Sequence, residues 1–139
     1  MTTKEKKEYL KRYRKIDREV NQLIMEKDEI LSLGIKITPT YSDMPKGMGE
    51  SNKIQSTIEK LEAQEEKINK KIDLLYAVKE DIEKVLHTVE DDTLRVLLRY
   101  RYINGLTWEK IAVIMGYGYR NITRLHGRAL TQIKIHNMS

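Results

Sequence analysis

The sequence has no cysteine and no phenylalanine, and only 1 tryptophan and 2 prolines among its 139 residues. Without cysteine, neither disulfide bonds nor thiolate–metal sites are available. With one tryptophan and 34% charged residues, a single large globular core is not expected. No apolar stretch reaches membrane-spanning length, and residues 1–10 are too polar for a signal peptide. We therefore expect a cytoplasmic protein that has no membrane segment.

No group of residues indicates catalysis. The sequence lacks a glycine-rich phosphate loop and a nucleophile elbow. His87, His126 and His136 are scattered, with no second ligand at metal-binding spacing, so neither a metal site nor a cofactor is expected. His126 has two interpretations, a phosphate contact or a residue that closes helix packing. We expect a protein that is not an enzyme.

Positive charge is concentrated in the last third of the chain. From Thr93 onward, eight lysines and arginines stand against the single acid Glu109, whereas the preceding part mixes both signs. Mixed signs are typical of helix faces that are simply solvated, and this is the interpretation that we favour for the basic cluster from Lys4 to Arg18, with a secondary phosphate contact as the alternative. A chain end in which nearly all charges are positive is typical of a surface that binds phosphates. The sequence therefore predicts nucleic-acid binding by the C-terminal part.

The N-terminal part has the spacing of a coiled coil. Apolar residues alternate at steps of four and three over a first helix of about residues 4–33 and a second of about residues 51–89. Lys27 interrupts the first seam, and Glu65 and Lys79 occupy seam positions of the second.

Residues 34–50 hold both prolines and form the predicted loop between these helices, with Gly34 placed to end the first one. The simplest structure is an antiparallel helical hairpin over residues 1–90. Pairing of the two helices within one chain and pairing with a second copy both remain open. The loop is either a cover for the hairpin end or a partner site.

Two short helices with a glycine-containing turn between them follow in the C-terminal part. Thr107 can cap the first helix, Gly116 can end it, and the second begins near Tyr119. A preceding helix, capped by Asp92 or Thr93, completes a three-helix head over residues 91–139. Helix-turn-helix motifs place their second helix in the DNA major groove. The predicted fold class is all-α, a long two-helix coiled-coil hairpin followed by a small helix-turn-helix head.

The outward side chains of the second short helix suit base reading, because arginine pairs with guanine and asparagine with adenine in the major groove. The candidates for base reading are Tyr119, Arg120, Asn121, Thr123 and Arg124. Other hydrogen-bond donors around the motif are suited to phosphates, which position a protein on the duplex. The candidates for phosphate contacts are Arg99, Arg101, Thr107, Lys110 and Arg128.

Three segments, Leu106–Ala112, Met115–Tyr117 and Gly127–Leu130, resemble region 4 of sigma-70-type sigma factors. Gly118 and Arg120 depart from that pattern, which usually has a serine and an acidic residue there, so promoter recognition cannot be carried over. The runs Leu98–Ile103, Leu125–Leu130 and Ser42–Gly47 are similar to the phage and prophage family of ArpU/RinA-type late-gene transcription regulators.

The resemblance implies a cytoplasmic protein of a bacterial host that binds double-stranded DNA and activates late genes for packaging and morphogenesis, in contact with host RNA polymerase. The helical hairpin would supply a homodimer interface or the polymerase contact. Two alternatives belong to other classes. One is a structural packaging protein such as a small terminase subunit, and the other is an interaction module that binds RNA polymerase without DNA.

Overall fold

A computed structural model describes residues 1–37 and 48–135, which form five α-helices and contain no strand. The helices are α1 (Thr3–Ile37), α2 (Met48–Leu86), α3 (Asp92–Tyr102), α4 (Trp108–Met115) and α5 (Tyr119–Gln132). The predicted fold class is confirmed, since two long helices pack together and small C-terminal helices follow. No helix within these described ranges is both long and apolar enough to cross a membrane.

The ends of the long helices differ from the prediction. The first helix does not stop at Gly34 but continues to Ile37, and the second begins at Met48 and ends at Leu86 rather than at Val89. The predicted loop 34–50 is therefore too long at both ends. Its residues 38–47, and with them the segment Ser42–Gly47, lie outside the described residues.

Gly34 has a packing role in place of the predicted capping role. A Cβ at this position would lie 2.6 Å from Cγ2 of Thr57 on α2, well inside van der Waals contact. The absence of a side chain at Gly34 therefore lets the two helix backbones approach closely. Close approach, like a turn with positive φ, is a reason for glycine inside a helix. An interior glycine and a terminal glycine look alike in one sequence, and here the packing decides between them.

The chain packs into two compact units, which we call the head unit (Met1–Ile16 with Leu75–Ser139) and the hairpin unit (Asp17–Leu74). The predicted boundary at residue 90 stays a prediction.

Within the hairpin unit, α1 and α2 run antiparallel. Lys71 Nζ lies 2.8 Å from a carboxylate oxygen of Glu19, and Lys27 Nζ lies 2.8 Å from one of Glu65. The charged seam positions Lys27 and Glu65 thus neutralise each other at the edge of the interface. Gln64 is the buried residue instead of Glu65, and its Nε2 donates to the carbonyl oxygen of Leu23 over 2.9 Å.

The head unit holds the well-packed core. Its fully buried large side chains come from all five helices and from the segment after α2: Leu10, Ile82, Leu86, Val89, Leu94, Leu97, Leu98, Ile111, Ile122 and Leu130. Val78 rather than the predicted Lys79 is buried on α2. Asp91 caps α3, in place of the predicted Asp92 or Thr93, and its Oδ1 accepts from the backbone N–H groups of Thr93 and Leu94.

Candidate nucleic-acid interface

The turn between α4 and α5 has the geometry that the sequence predicts. Thr107 is extended and its Oγ1 accepts from the backbone N–H of Lys110 over 3.2 Å, which caps α4. Gly116 adopts a left-handed conformation with φ of 71°, and its N–H donates to the last turn of α4. Because L side chains rarely adopt this conformation, glycine is favoured there. These two ends fix where α5 begins.

Helix α5 presents one face to the core and one to solvent. Ile122, His126, Ala129 and Leu130 are buried. The exposed residues of α5 are Tyr119, Arg120, Thr123, Arg124, Gly127, Arg128 and Thr131. The helix contains three arginines and no acidic residue, so no carboxylate on α5 competes with an incoming phosphate or base.

The five predicted base-reading residues lie together in the first two turns of α5. Tyr119, Arg120, Thr123 and Arg124 are exposed and Asn121 is half-buried. A guanidinium nitrogen of Arg124 donates to Oδ1 of Asn121 over 2.7 Å, which orients both side chains before any ligand arrives. Thr123 Oγ1 donates to the carbonyl oxygen of Tyr119 over 2.7 Å, so its methyl group and oxygen lone pairs remain for a ligand.

The start of α5 carries no side-chain cap. Gly118 occupies the N-cap position without a side-chain hydrogen bond, and the first turn has no acidic residue. The N–H groups of the first helical turn have no partner within the helix and carry partial positive charge. This end of α5 therefore adds to the positive potential of the two nearby arginines.

The five predicted phosphate-binding residues fall into separate groups. Arg101, Thr107 and Lys110 gather at the start of α4, because the Arg101 guanidinium donates to the Leu106 carbonyl oxygen over 3.1 Å and lies 4.5 Å from the Trp108 ring centroid. This stacking holds the guanidinium at the α4 edge.

Arg128 and Arg99 lie apart from that group. Arg128 is exposed on α5, near Arg124. Arg99 forms an ion pair with Glu83 of α2, so a phosphate at Arg99 would have to compete with a carboxylate. Of the predicted phosphate set, Arg99 is therefore the residue with the strongest internal competitor.

His126 closes the packing of the three short helices. Its Nε2 lies 2.7 Å from the Tyr102 hydroxyl, and its ring centroid is 4.4 Å from that of Trp108. Burial lowers the pKa of His126 to about 4, and the positive charges of Lys7, Arg101 and Lys11 lower it as well. Burial also raises the pKa of Tyr102 to about 12. Both groups are therefore neutral near pH 7, and the Tyr102 hydroxyl can donate to Nε2.

Sequence reasoning missed the participation of α1 in the head unit. Lys6 Nζ donates to the carbonyl oxygen of Leu130 over 2.8 Å, and Arg14 packs beside Gly105 in the turn between α3 and α4. Leu10 is completely buried, although it lies beside the predicted seam of α1 rather than in it. An apolar residue beside a coiled-coil seam was the one available signal of this second contact.

Gly127 lies on the exposed face of α5, and a Cβ at this position would meet nothing within 4 Å. Glycine inside a helix is less favourable than alanine by roughly 0.5–1 kcal/mol. No packing contact of the described residues requires its small size, in contrast to Gly34.

Among the described residues, no group of three or more histidine, aspartate or glutamate side chains could hold a metal ion. Comparisons with protein-family models, with curated proteins and with solved structures find no match for this chain.

Proposed function

We propose that this chain is a sequence-specific DNA-binding transcription regulator whose helix α5 enters the major groove of double-stranded DNA. The observation that carries the proposal is the exposed face of α5, which holds Arg120, Arg124 and Arg128 without any acidic residue. A helix held at the second position of a helix-turn-helix presents such a face to base edges.

Base reading follows from the side chains in the first two turns of α5. Arg120 and Arg124 can each donate two hydrogen bonds to O6 and N7 of guanine, and Asn121 can pair with N6 and N7 of adenine. The hydrogen bond between Arg124 and Asn121 restricts both rotamers in the free protein, which lowers the entropy lost on binding. The Thr123 methyl group suits the 5-methyl group of thymine.

Phosphate contacts would then fix the register of α5 in the groove. Arg101, Thr107 and Lys110 at the start of α4 are suited to one strand, and Arg128 on α5 lies one turn beyond Arg124. Such contacts carry no sequence information, and they weaken with salt because releasing counterions into a more concentrated salt solution gains less entropy. The residues in the first two turns of α5 would thus select the DNA sequence, and the phosphate-binding residues would position the protein on the duplex.

The sequence resemblance to ArpU/RinA-type regulators extends the proposal to phage late genes, host RNA polymerase and the cytoplasm of a bacterial host. The structural observation that favours a protein partner is on α4, where Val113 is 82% and Ile114 is 54% exposed. Large apolar side chains side by side on a helix surface favour contact with another protein. We expect Val113→Glu with Ile114→Glu to abolish co-purification with polymerase while DNA binding persists.

The hairpin unit favours a homodimer. Its large apolar side chains that are 40% to 62% exposed are Ile24, Met25, Leu31, Leu33, Ile35, Ile54, Ile58 and Leu74. A second copy that packs along the hairpin would bury them, and a dimer would place two α5 helices on two half-sites. The mass in solution tests this, since a monomer would remove the dimer and a ring of many subunits would favour a packaging protein.

The decisive experiment measures binding of the purified protein to DNA fragments that tile its own genomic neighbourhood, at low and at physiological salt. One fragment that keeps its affinity while the others lose theirs is the expected result, and it locates the operator. Uniform, salt-sensitive binding would favour packaging or architecture. No binding at either salt would contradict the proposal and make polymerase the partner to search for.

A further inference from the structure

The N-terminal end of α1 lies along the edge of the head unit where α4 begins. Three contacts hold it there: the bond from Lys6 to the Leu130 carbonyl oxygen, the burial of Leu10, and the packing of Arg14 against Gly105. An alanine at position 105 would place its Cβ 2.5 Å from Cζ of Arg14. The turn that Arg14 touches leads within two residues into Thr107, the cap of α4.

Lys7 and Lys11 lie between these anchor points. They are four residues apart, so they occupy the same face of α1 one helical turn from each other. Both lie close enough to His126 for their charges to lower its pKa, as does Arg101 at the start of α4. Arg14 lies seven residues beyond Lys7 and therefore on the same face of α1, and through Arg14 this face contacts the turn that leads into Thr107, one of the predicted phosphate-binding residues.

The internal partner of Lys11 is weak. Lys11 Nζ lies 3.9 Å from a carboxylate oxygen of Glu8, and both side chains are more than half exposed. Ion pairs of this kind contribute little, since water screens them and both side chains lose rotational freedom. A phosphate that replaced Glu8 would therefore displace little interaction energy. A simple solvated face is the alternative that the test must exclude.

We propose that Lys7 and Lys11 bind phosphates of the DNA duplex whose groove α5 enters, so that α1 is a second DNA-contacting element of the head. The inference rests on the proposed DNA-binding function and deepens it. The ligand chemistry is the phosphodiester backbone of double-stranded DNA, because an ammonium group binds phosphate as a point charge without base specificity. The contact would strengthen binding to all sequences alike.

The test compares two double variants of the full chain. Lys7→Gln with Lys11→Gln removes the proposed site, and Lys67→Gln with Lys70→Gln is the matched control in the hairpin unit. Each pair removes two positive charges, and each contains one lysine in a solvent-exposed ion pair within its helix, with Glu8 or with Glu66. The probe is a random-sequence DNA duplex, and fluorescence anisotropy gives the association constant over a series of salt concentrations.

We expect the slope of log association constant against log salt to become less negative by about 1.8 in Lys7→Gln/Lys11→Gln, because each phosphate contact contributes about 0.9. The control pair should keep the wild-type slope. Equal changes in both pairs would show an effect of net charge and overturn the inference, as would an unchanged slope in the first pair.

Two further readouts separate the possible failures. If the wild-type protein binds DNA and Lys7→Gln/Lys11→Gln keeps the wild-type salt slope, the inference is overturned and the proposed function is not. Wild-type protein that does not bind DNA would overturn both the proposed function and the inference. NMR titration of His126 checks the placement, since removal of both lysines should raise its pKa whereas the control pair should not.

Discussion

The head unit and the hairpin unit use the same amphipathic helices in different ways. In the head unit, apolar side chains from five helices meet and ten large ones are fully buried, whereas among the described residues the hairpin unit buries only Val20, Gln64 and Ile68. Both units leave large apolar side chains at least 40% exposed, eight in the hairpin unit and six in the head unit, including Val113 and Ile114. Two packed helices bury only a narrow stripe of each other, and a wider apolar stripe is buried only when a third element covers it. The head unit therefore differs from the hairpin unit by a closed core, and not by the lack of an apolar surface.

The largest expected effect is a core truncation in the head unit. Ile111 is completely buried, and Ile111→Ala should lower the free energy of unfolding by about 2–5 kcal/mol through lost burial and a cavity. The matched change in the hairpin unit, Ile58→Ala, removes the same atoms from a side chain that is 42% exposed and should cost about 0.5 kcal/mol. Urea unfolding followed by circular dichroism measures both. Equal losses of unfolding free energy would contradict this difference in burial between the two units.

A pH effect sharpens the same comparison, because the only buried histidine of the described residues lies in the head unit. The folded-state pKa of His126 is about 4, below the unfolded value of about 6.5. The unfolded chain binds a proton at His126 more readily than the folded protein does, so protonation lowers the free energy of unfolding. The contribution of neutral His126 to stability is therefore complete above about pH 6.5 and falls as the pH decreases toward about 4. The loss approaches about 1.4 kcal/mol per pH unit inside that window.

The measurement is the unfolding midpoint as a function of pH for wild type and His126→Gln. The variant should lack most of the decline between pH 6.5 and pH 5, even if its stability at pH 7 is lower. His87→Gln changes an exposed histidine of the same unit and should retain the wild-type slope. An undiminished slope in His126→Gln would assign the decline to other groups.

Charged surfaces of the two units are expected to differ in function. Arg120→Ala should cost about 1–3 kcal/mol at the preferred DNA site and little on random DNA, because a lost guanine contact affects specificity. Lys60→Ala removes an exposed cation from the hairpin unit and should leave both affinities unchanged. Competition binding with the two DNAs provides the measurement. Equal losses on both DNAs in Arg120→Ala would assign this arginine to phosphate rather than to a base.

The smallest effect compares one glycine of each unit. Gly127→Ala should raise the free energy of unfolding by roughly 0.5–1 kcal/mol, since the position is helical and open. Gly34→Ala should lower it, because the new Cβ would contact Thr57, whose hydroxyl donates to the Lys53 carbonyl oxygen over 2.9 Å and resists rotation. Thermal unfolding of both variants gives the two signs, and a stabilised Gly34→Ala would contradict the close-approach role.

Local signals in the sequence were sufficient for the helices and for the motif. The cap at Thr107 and the end of α4 at Gly116 follow from short-range rules on helix caps, and the structure has both. The base-reading and phosphate-binding roles stay predictions, although the residues assigned to base reading lie together on α5.

Signals that depend on distant partners were not sufficient. The predicted seam included Glu65 and Lys79, yet Gln64 and Val78 are the buried neighbours, because the partner surface and not the stripe alone decides which edge turns inward. The contact of Lys6 with Leu130 joins residues 124 positions apart and has no local pattern that would predict it.

That contact also bears on the order in which the molecule can be made. A ribosome synthesises α1 early, but the carbonyl oxygen that receives Lys6 belongs to Leu130, which is synthesised 124 residues later. Contacts of such sequence separation form slowly and leave apolar surface uncovered meanwhile. The head can therefore reach its finished state only after α5 has left the exit tunnel, and chains terminated before α5 would lack its exposed arginine face altogether.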